Sequence, residues 1–338
     1  MVQRPVISVC IANYNGMEVI DDCLRSVLTQ QGDFDLEVVV HDDLSSDPSV
    51  AHLRATYPNI FVIESTENVG YCVANNRMAS AARGDYLLLL NNDAALLPYA
   101  LQTLLSEALA LGRPAVLSLP QYDARSGELL DRGSRLDPFL NSIPVLQPTH
   151  CDVGMVAGAC LWINRSLWND LGGFPPWFGS IAEDLYLCCR ARRCGHVVRV
   201  LRSSGYRHYV GHSFGGGKVK NGLLSTRFDR RALSERNKTF VMLMCYPTPF
   251  MQAVVPFHVA LLLLEGLALS LLKADLNFWR RIYWPVVPAL LRHRCQLRIT
   301  RHTVAPAAHA TSRDFFSAFV WYPYKLSMLL RHGLPTVR

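Results

Sequence analysis

Apolar runs that stop abruptly in polar side chains recur along the first hundred residues. Leu87 to Leu90 ends in Asn91-Asn92-Asp93, Val38 to Val40 ends in His41-Asp42-Asp43, and Val6 to Ala12 ends in Asn13-Tyr14-Asn15-Gly16. A run apolar at every position reads as a strand covered on both faces, as in a parallel sheet. Between the runs the spacing changes to that of a helix. Val19, Ile20, Cys23, Leu24, Val27 and Leu28 recur at helical intervals within Glu18 to Gln30, and a further helix is predicted from about Cys72 to Ala82. Ile60 to Ile63 is a short strand, and Ser45, Ser46 and Asp47 suit a turn and a helix N-cap. Strand and helix therefore alternate up to Asp93. That alternation predicts an α/β fold, a mostly parallel sheet flanked by helices.

Ligands of open α/β sheets bind beyond the carboxyl ends of the strands. The three endings thus predict one polar ledge carrying Tyr14, Asp42 and Asp93. An aspartate just past an apolar strand suits a hard cation that bridges phosphates; it also suits a plain polar strand end or a helix cap. The chain has no G-x-x-x-x-G-K-[ST] loop and no G-x-G-x-x-G turn. A P-loop NTPase or a dinucleotide fold is not expected. Farther on, Glu183-Asp184 precedes Leu185, Leu187, Cys188 and Ala191 at helical spacing. A carboxylate at a helix N-terminus is favoured in its ionised form; an ordinary acidic first turn has the same appearance.

Taken in order, Val6 to Gly16, Asp42-Asp43 through Ser49, Glu67 to Tyr71 with Asn75-Asn76, Gly84 through Pro98, Gly172-Gly173-Phe174 and Glu183-Asp184-Leu185 resemble the inverting family 2 glycosyltransferases. The closest flavour is the bacterial rhamnosyltransferase-like branch, and the resemblance covers roughly residues 5 to 245. It implies a GT-A-type nucleotide-sugar domain over 1–245, with a nucleotide-binding half (1–98) and an acceptor and catalytic half (99–245). Residues 246–338 form a C-terminal helical, membrane-associating appendage. It implies donor contacts from Ala12, Asn13, Tyr14, Asp42, Asn75, Asn76, Asn91, Asn92 and Asp93. Asp93 and His208 would hold Mg²⁺ or Mn²⁺, with His212 a competitor that spacing alone does not separate from His208. Asp184 would be the base, because inversion requires a group to take the acceptor hydroxyl proton as that oxygen attacks the anomeric carbon. Trp177, Phe178 and Glu183 would shape the acceptor side. Ser213 belongs to the same stretch as His208. Gly215-Gly216-Gly217-Lys218 reads equally as a phosphate-meeting lid or a linker, and Arg236-Asn237 as site support. Three departures stand out. The usual acidic pair is Asn91-Asn92-Asp93 here, Leu44 stands where glycine is common, and His41 precedes the aspartate pair.

Charge and composition change the picture at the C-terminal end. The chain has 338 residues and a net charge of +7. Trp279 to Arg338 holds ten Lys or Arg against one acid, Asp314; this is +9 and leaves −2 for residues 1–278. Aromatics such as Trp279, Trp284, Trp321 and Tyr322 interleave with these charges, which suits nucleic acid or a membrane surface. The preceding stretch decides for membrane. Thr239 to Leu264 contains no Asp, Glu, Lys or Arg, and apolar character resumes after Glu265 to Leu272. Pro247, Pro249, Pro256, His258 and Glu265 interrupt it. An interfacial helix or pair of helices is the favoured reading, ahead of a true span or re-entrant hairpin and of a soluble oligomer interface. The start does not read as a signal peptide. Ten scattered cysteines suit a reducing cytoplasm, and Cys188, Cys189, Cys194 and His196 read as core packing rather than a metal cluster.

The expectation is an inverting transferase at the cytoplasmic face of a bacterial inner membrane. It would move a hexose, rhamnose first, from a dTDP- or UDP-sugar to a lipid-linked saccharide of a surface glycan. No nucleic acid partner is expected, and a homodimer is open. The alternative is a catalytically idle, membrane-bound nucleotide-sugar scaffold of a glycan assembly complex.

Overall fold

The computed structural model describes residues 6–149, 151–209, 219–220, 223–304, 307–334 and 336–337. His212, Ser213 and Gly215 to Lys218 lie outside the described residues. The chain divides into two compact units: residues 1–134, 144–191 and 196–210, and residues 135–143, 192–195 and 211–338.

The first unit is built on β1 (Val6–Asn13), α1 (Ile20–Leu28), β2 (Asp35–Asp42), α2 (Ser49–Thr56), β3 (Phe61–Glu64), α3 (Gly70–Ala81) and β4 (Tyr86–Asn91). The alternation read from the sequence is present, with α1 and β3 within two residues of their expected ends. Then come β5 (Ala94–Leu96), α4 (Ala100–Leu111), β6 (Ala115–Ser118), β7 (Gln121–Asp123) and β8 (Leu129–Asp131). The short pair β9 (Ser134–Leu136) and β10 (Ser142–Pro144), which falls mostly in the second unit, precedes β11 (Cys160–Asn164), α5 (Arg165–Leu171), α6 (Glu183–Arg193), β12 (Val197–Val200) and β13 (Tyr206–His208). Seven strands form the main sheet in the order β12-β6-β11-β4-β1-β2-β3. Only β11 runs antiparallel to its neighbours β4 and β6. The apolar strands are covered on both faces, as their unbroken runs require. Ile7, Val9 and Ile11 of β1 and Leu88 and Leu90 of β4 pack with Ile20, Leu24 and Val27 of α1 and with Leu101, Leu104 and Leu105 of α4. The alternate residues Cys10, Leu87 and Leu89 are fully buried on the opposite face, the side on which α3 packs against β1 and β2.

Parallel register aligns the strand ends. Asn13 pairs with Asp42, and Ala12 with both His41 and Asn91. A second sheet, β5-β13-β7-β8, stands beyond them. Its antiparallel pairing of His208 with Ala94 brings residue 208 beside the turn that holds Asp93.

The second unit is mainly helical: α7 (Phe228–Cys245), α8 (Thr248–Leu272), a π-helical turn (Phe278–Tyr283), α9 (Val286–Arg292), α10 (Arg294–Val304), α11 (Ser312–Phe316) and α12 (Tyr324–His332). Helix α7 groups with these helices, so the compact first unit closes near residue 210 instead of the expected 245. Helix α8 is, among the described residues, the one helix long and apolar enough to cross a membrane. It buries Val255, His258, Leu262, Gly266 and Leu269 along one stripe and exposes Phe257, Leu261, Leu264, Leu267 and Leu271 along another.

Candidate active site

The ledge is a hydrogen-bonded lattice in which the three strand ends hold one another. Asn13 donates through Nδ2 to Asp42 Oδ1 at 2.9 Å and to Ser49 Oγ at 3.0 Å. Its Oδ1 accepts from Asn92 Nδ2 at 3.0 Å. Asp42 accepts from the Ser45 amide at 2.9 Å. Asn13, Asp42, Asn92 and Asp93 are all buried, whereas Tyr14, one residue past β1, is 55% exposed. The floor of the site is thus fixed and the tyrosine ring beside it is open to a ligand. Gly16 is required by this closeness: a Cβ there would stand 2.1 Å from Asn13 Oδ1 and 2.4 Å from Asn92 Nδ2.

The two adjacent aspartates of the second motif do different work. Asp43 turns its carboxylate to the amides of Val69 (2.7 Å) and Gly70 (2.9 Å), at the start of α3. An ionised carboxylate there satisfies helix-end donors that have no partner within the helix. Leu44, between Asp43 and Ser45, has φ of +63°. The glycine common at this position in the resembled family thus has a backbone reason, since a left-handed residue costs a side chain about 1–2 kcal/mol.

Asp93 sits in the turn between β4 and β5 with its side chain 4% exposed, and its Oδ1 lies 3.1 Å from Nε2 of His208. Behind them Tyr206 Oη donates to Gln121 Oε1 at 2.8 Å, which leaves Gln121 Nε2 facing His208 Nδ1 at 3.2 Å. An amide nitrogen only donates, so Nδ1 accepts, and in neutral imidazole the proton stands on Nε2, directed at Asp93. Among the described residues no cluster of three or more His, Cys, Asp or Glu side chains is suited to a metal. With the Gln121 amide turned over, Nδ1 would carry the proton and Nε2 would be free, so the chain would offer a cation one hard carboxylate and one borderline imidazole, which would suit Mg²⁺ or Mn²⁺ once phosphate oxygens complete the shell.

Asp184 opens α6 on the other side of the same centre. Its Oδ2 accepts from the Gly158 amide at 3.0 Å and its Oδ1 from the Leu185 amide at 2.7 Å. Two backbone donors favour the carboxylate form. The approach to it is strained: Ile181 and Ala182 both have φ of +69°. Glu183 is buried. Tyr71 joins the two carboxylate sites. Its hydroxyl lies 3.1 Å from Asn91 Oδ1 and 3.0 Å from Gly158 O. Burial first, then the charges of Glu183, Asp184 and Asp93, push the Tyr71 phenol well above its usual range. It is a neutral donor in a field of carboxylates.

Other residues singled out from the sequence are committed to scaffolding. Asn75 donates to the Tyr71 carbonyl at 2.9 Å. Asn76 grips the main chain of Phe174 from both sides, donating to its carbonyl at 2.8 Å and accepting from its amide at 3.0 Å. Phe178 is fully buried and packs edge-on against Trp177 and Tyr186; the partly exposed Trp177 is the half of that pair open to a ligand. In the second unit Arg236 donates to its neighbour Asn237 at 2.9 Å. Sequence reasoning missed Tyr71, Gly158 and Gln121 as site members. Tyr71 carried a signal, since it follows the turn that Asp43 holds.

A mostly parallel sheet whose strand ends form a polar ledge thus carries one carboxylate beside a histidine and another at a helix start. Residues 8–172 match the family described as Glycosyl transferase family 2, so the chain carries a family 2 glycosyltransferase domain. It is 27% identical over 210 residues to the N-acetylglucosaminyl-diphospho-decaprenol L-rhamnosyltransferase of Mycobacterium tuberculosis, covering 53% of this chain and 68% of that protein. The matched stretches span 32% to 68% of the lengths of the first curated relatives. In fold the chain is similar to GalNAc-T7 with UDP, GalNAc and Mn²⁺ (TM-score 0.58, 16% identity, 72% of this chain and 48% of that one). It is also similar to S. aureus TarS 1–349 in complex with UDP-GlcNAc (TM-score 0.53, 16% identity, 95% and 92%).

Proposed function

We propose that the chain transfers a hexose from a pyrimidine nucleoside diphosphate sugar to a lipid-linked saccharide, with inversion, in surface glycan synthesis. The observation that carries this reading is the pair of carboxylates, Asp93 beside His208 and Asp184 at the start of α6, both close enough to Tyr71 to perturb it. The acceptor hydroxyl attacks the anomeric carbon as the bond from that carbon to the diphosphate oxygen breaks. Asp184 takes the hydroxyl proton, and Gly158 and Leu185 amides hold its carboxylate ionised beforehand. Asp93 and His208 would hold the divalent cation, which supplies charge neutralisation for the departing diphosphate. Tyr14 lies open for the nucleobase above the Asp42 lattice. One displacement leaves no covalent sugar on the protein.

The donor is a dTDP- or UDP-hexose. Rhamnose is favoured by the relative whose name is a rhamnosyltransferase acting on a decaprenol-linked sugar. The same name, with the exposed apolar stripe of α8, supports a lipid-linked acceptor at the cytoplasmic face of a bacterial inner membrane. There α8 lies in the interface with its buried face turned to the second unit. A span would carry Glu265, paired with Arg231 and Lys325, into hydrocarbon.

A thermal shift screen with UDP, dTDP and GDP, each with and without Mn²⁺, tests the reading, because a ligand stabilises the state that binds it. A metal-dependent rise with uridine or thymidine diphosphate is expected. No rise with any nucleotide overturns it. Tight binding with no turnover on any lipid-linked acceptor leaves the idle scaffold instead.

A further inference from the structure

Between the two carboxylate sites runs a line of contacts that the chemistry above does not use. Tyr71 occupies the first turn of α3. Its ring stacks on Phe174, with centroids 6.1 Å apart and planes at 26°. Phe174 is itself pinned through both main-chain groups by Asn76. The ring therefore has little freedom, and its hydroxyl is delivered to one place. There it meets Gly158 O at 3.0 Å and the Asn91 side-chain amide at 3.1 Å. A hydroxyl has one proton for these two neighbours. All three groups are satisfied when Asn91 presents Nδ2 to the phenol oxygen and the phenol donates to Gly158 O. The hydrogen bonds then run in one direction, from the end of β4 to the loop before β11. Gly158 continues the line, because its amide donates to Asp184 Oδ2 at 3.0 Å. A Cβ on Gly158 would lie 3.4 Å from the Tyr71 hydroxyl and 3.5 Å from the Asp184 Cβ, in ordinary contact with both, so the glycine stands between them with room for a methyl and little more.

We propose that Tyr71 is a positioning residue for the base: by holding the Gly158 carbonyl it fixes the Gly158–Ala159 peptide plane, which limits rotation at the Gly158 Cα and so sets where the amide of the preceding plane meets Asp184, and it ties this loop to the strand end that carries Asp93. The inference rests on Asp184 as the base. The Ala157–Gly158 plane held by Asp184 and the Gly158–Ala159 plane held by the phenol meet at a residue with no side chain, so the second anchor restricts a glycine that could otherwise rotate. Charged and titratable groups that face this spot are Glu183 and Asp184 from α6, Asp93 from the β4–β5 turn, and Cys72 next in the chain.

The test is Tyr71→Phe in the full chain, which keeps the ring stack and removes only the hydroxyl. With a released peptide, Asp184 loses an aligned donor to its charged form. The acid limb of the kcat profile should then move to higher pH, and kcat should fall about tenfold to a hundredfold, as for a misplaced reacting group. Donor KM should hold, since the Asn13–Asp42 lattice is untouched. A variant with wild-type kcat and an unmoved acid limb, whether or not its Tm is lower, overturns the proposal. Should Tyr71→Phe fail to fold, Gly158→Val reads the same link. Its branched side chain reaches beyond a Cβ position already in contact with the phenol and Asp184, and the same acid-limb shift at constant donor KM is expected; an unmoved limb overturns it. Asp184→Asn separates the two levels. If that variant turns over like wild type, the proposed base itself is wrong. If it is inactive while Tyr71→Phe and Gly158→Val behave as wild type, only the positioning role fails.

Discussion

Both units bury apolar side chains, but they differ in where their charged and exposed apolar groups lie. In the first, the interior is Leu, Val and Ile from strands and helices, and polar groups gather where the strands end. In the second, a charged network lies among buried apolar residues such as Phe240, Leu262, Leu269 and Tyr283, and further apolar side chains face out. Glu235 of α7, 3% exposed, pairs with Lys238 at 3.1 Å and with Lys325 of α12 at 2.6 Å. Lys325 also reaches Glu265 of α8 at 3.0 Å, and Arg231 meets Glu265 at 2.7 Å. Outside that network stand Leu264, Leu271, Leu272, Leu291 and Leu330, each 60% exposed or more. A soluble chain rarely leaves so much apolar surface in water. Under the proposed function, the contrast fits one unit to an aqueous nucleotide and the other to a low-dielectric neighbour.

The largest effect should come from breaking the interior of the second unit. Glu235→Gln leaves Lys238 and Lys325 facing a neutral amide, and losing one partner of a buried ionic cluster costs about 3–5 kcal/mol. Chemical denaturation followed by hydrogen exchange should show the loss in α7, α8 and α12. Leu88→Ala is the matching change in the first unit, at about 2–5 kcal/mol, and should lower protection in the sheet. If either change acts equally on both units, the division is wrong.

Acid should separate the units as well. Burial holds the His258 imidazole down to about 3, against an unfolded value near 6.5. A depressed folded pKa means that the unfolded chain binds the proton first. This stability is therefore present above about pH 6.5 and is lost as pH falls toward 3. Glu235 adds in the same direction. Burial opposes its charge, but Lys238 and Lys325 outweigh burial and hold its carboxyl well below the usual range. Its contribution is present above the unfolded carboxylate pKa and fades in stronger acid. Exchange of α7 and α8 amides at pH 7 and pH 4.5 should rise more than that of β1 and β4. Equal changes would contradict the assignment.

Leu264→Glu should weaken flotation with anionic liposomes about tenfold or more, because a charge within an apolar interfacial face is costly. Its Tm in detergent-free buffer should move little, as the side chain is 60% exposed. The smallest effect is on the ledge. Leu44→Gly relieves a left-handed backbone, partly offset by glycine's unfolded freedom, and should raise stability by about 0.5–1 kcal/mol. A loss would mean that the exposed leucine has a contact to lose.

The strand ends were legible because a strand buried on both faces must be apolar throughout, so its polar stop is conspicuous. Asn13, Asp42 and Asn92 were found this way, and the register brings them together. The pairing of Asp93 with His208, 115 residues later, has no local signal; it depends on β13 running antiparallel to β5. Nor does sequence distinguish Asp42 from Asp43. Both follow the same strand, and which one meets a ligand and which one holds α3 is decided by alternation of the strand and the path of a later loop. Helix α7 reads as an extension of the first unit because its partners, Glu265 and Lys325, are distant in sequence. The apolar stretch in α8 was plain, but its two faces differ only in what packs against them.

The most direct test of the central claim compares Asp184→Asn with the wild type in two assays on one preparation. One is nucleotide binding with Mn²⁺; the other is sugar transfer from a dTDP- or UDP-hexose to a lipid-linked acceptor. Nucleotide binding within a factor of about two, with transfer reduced at least a hundredfold, is predicted for a base that leaves the ledge intact. Transfer at the wild-type rate with binding unchanged would contradict it, and would move the chemistry away from α6.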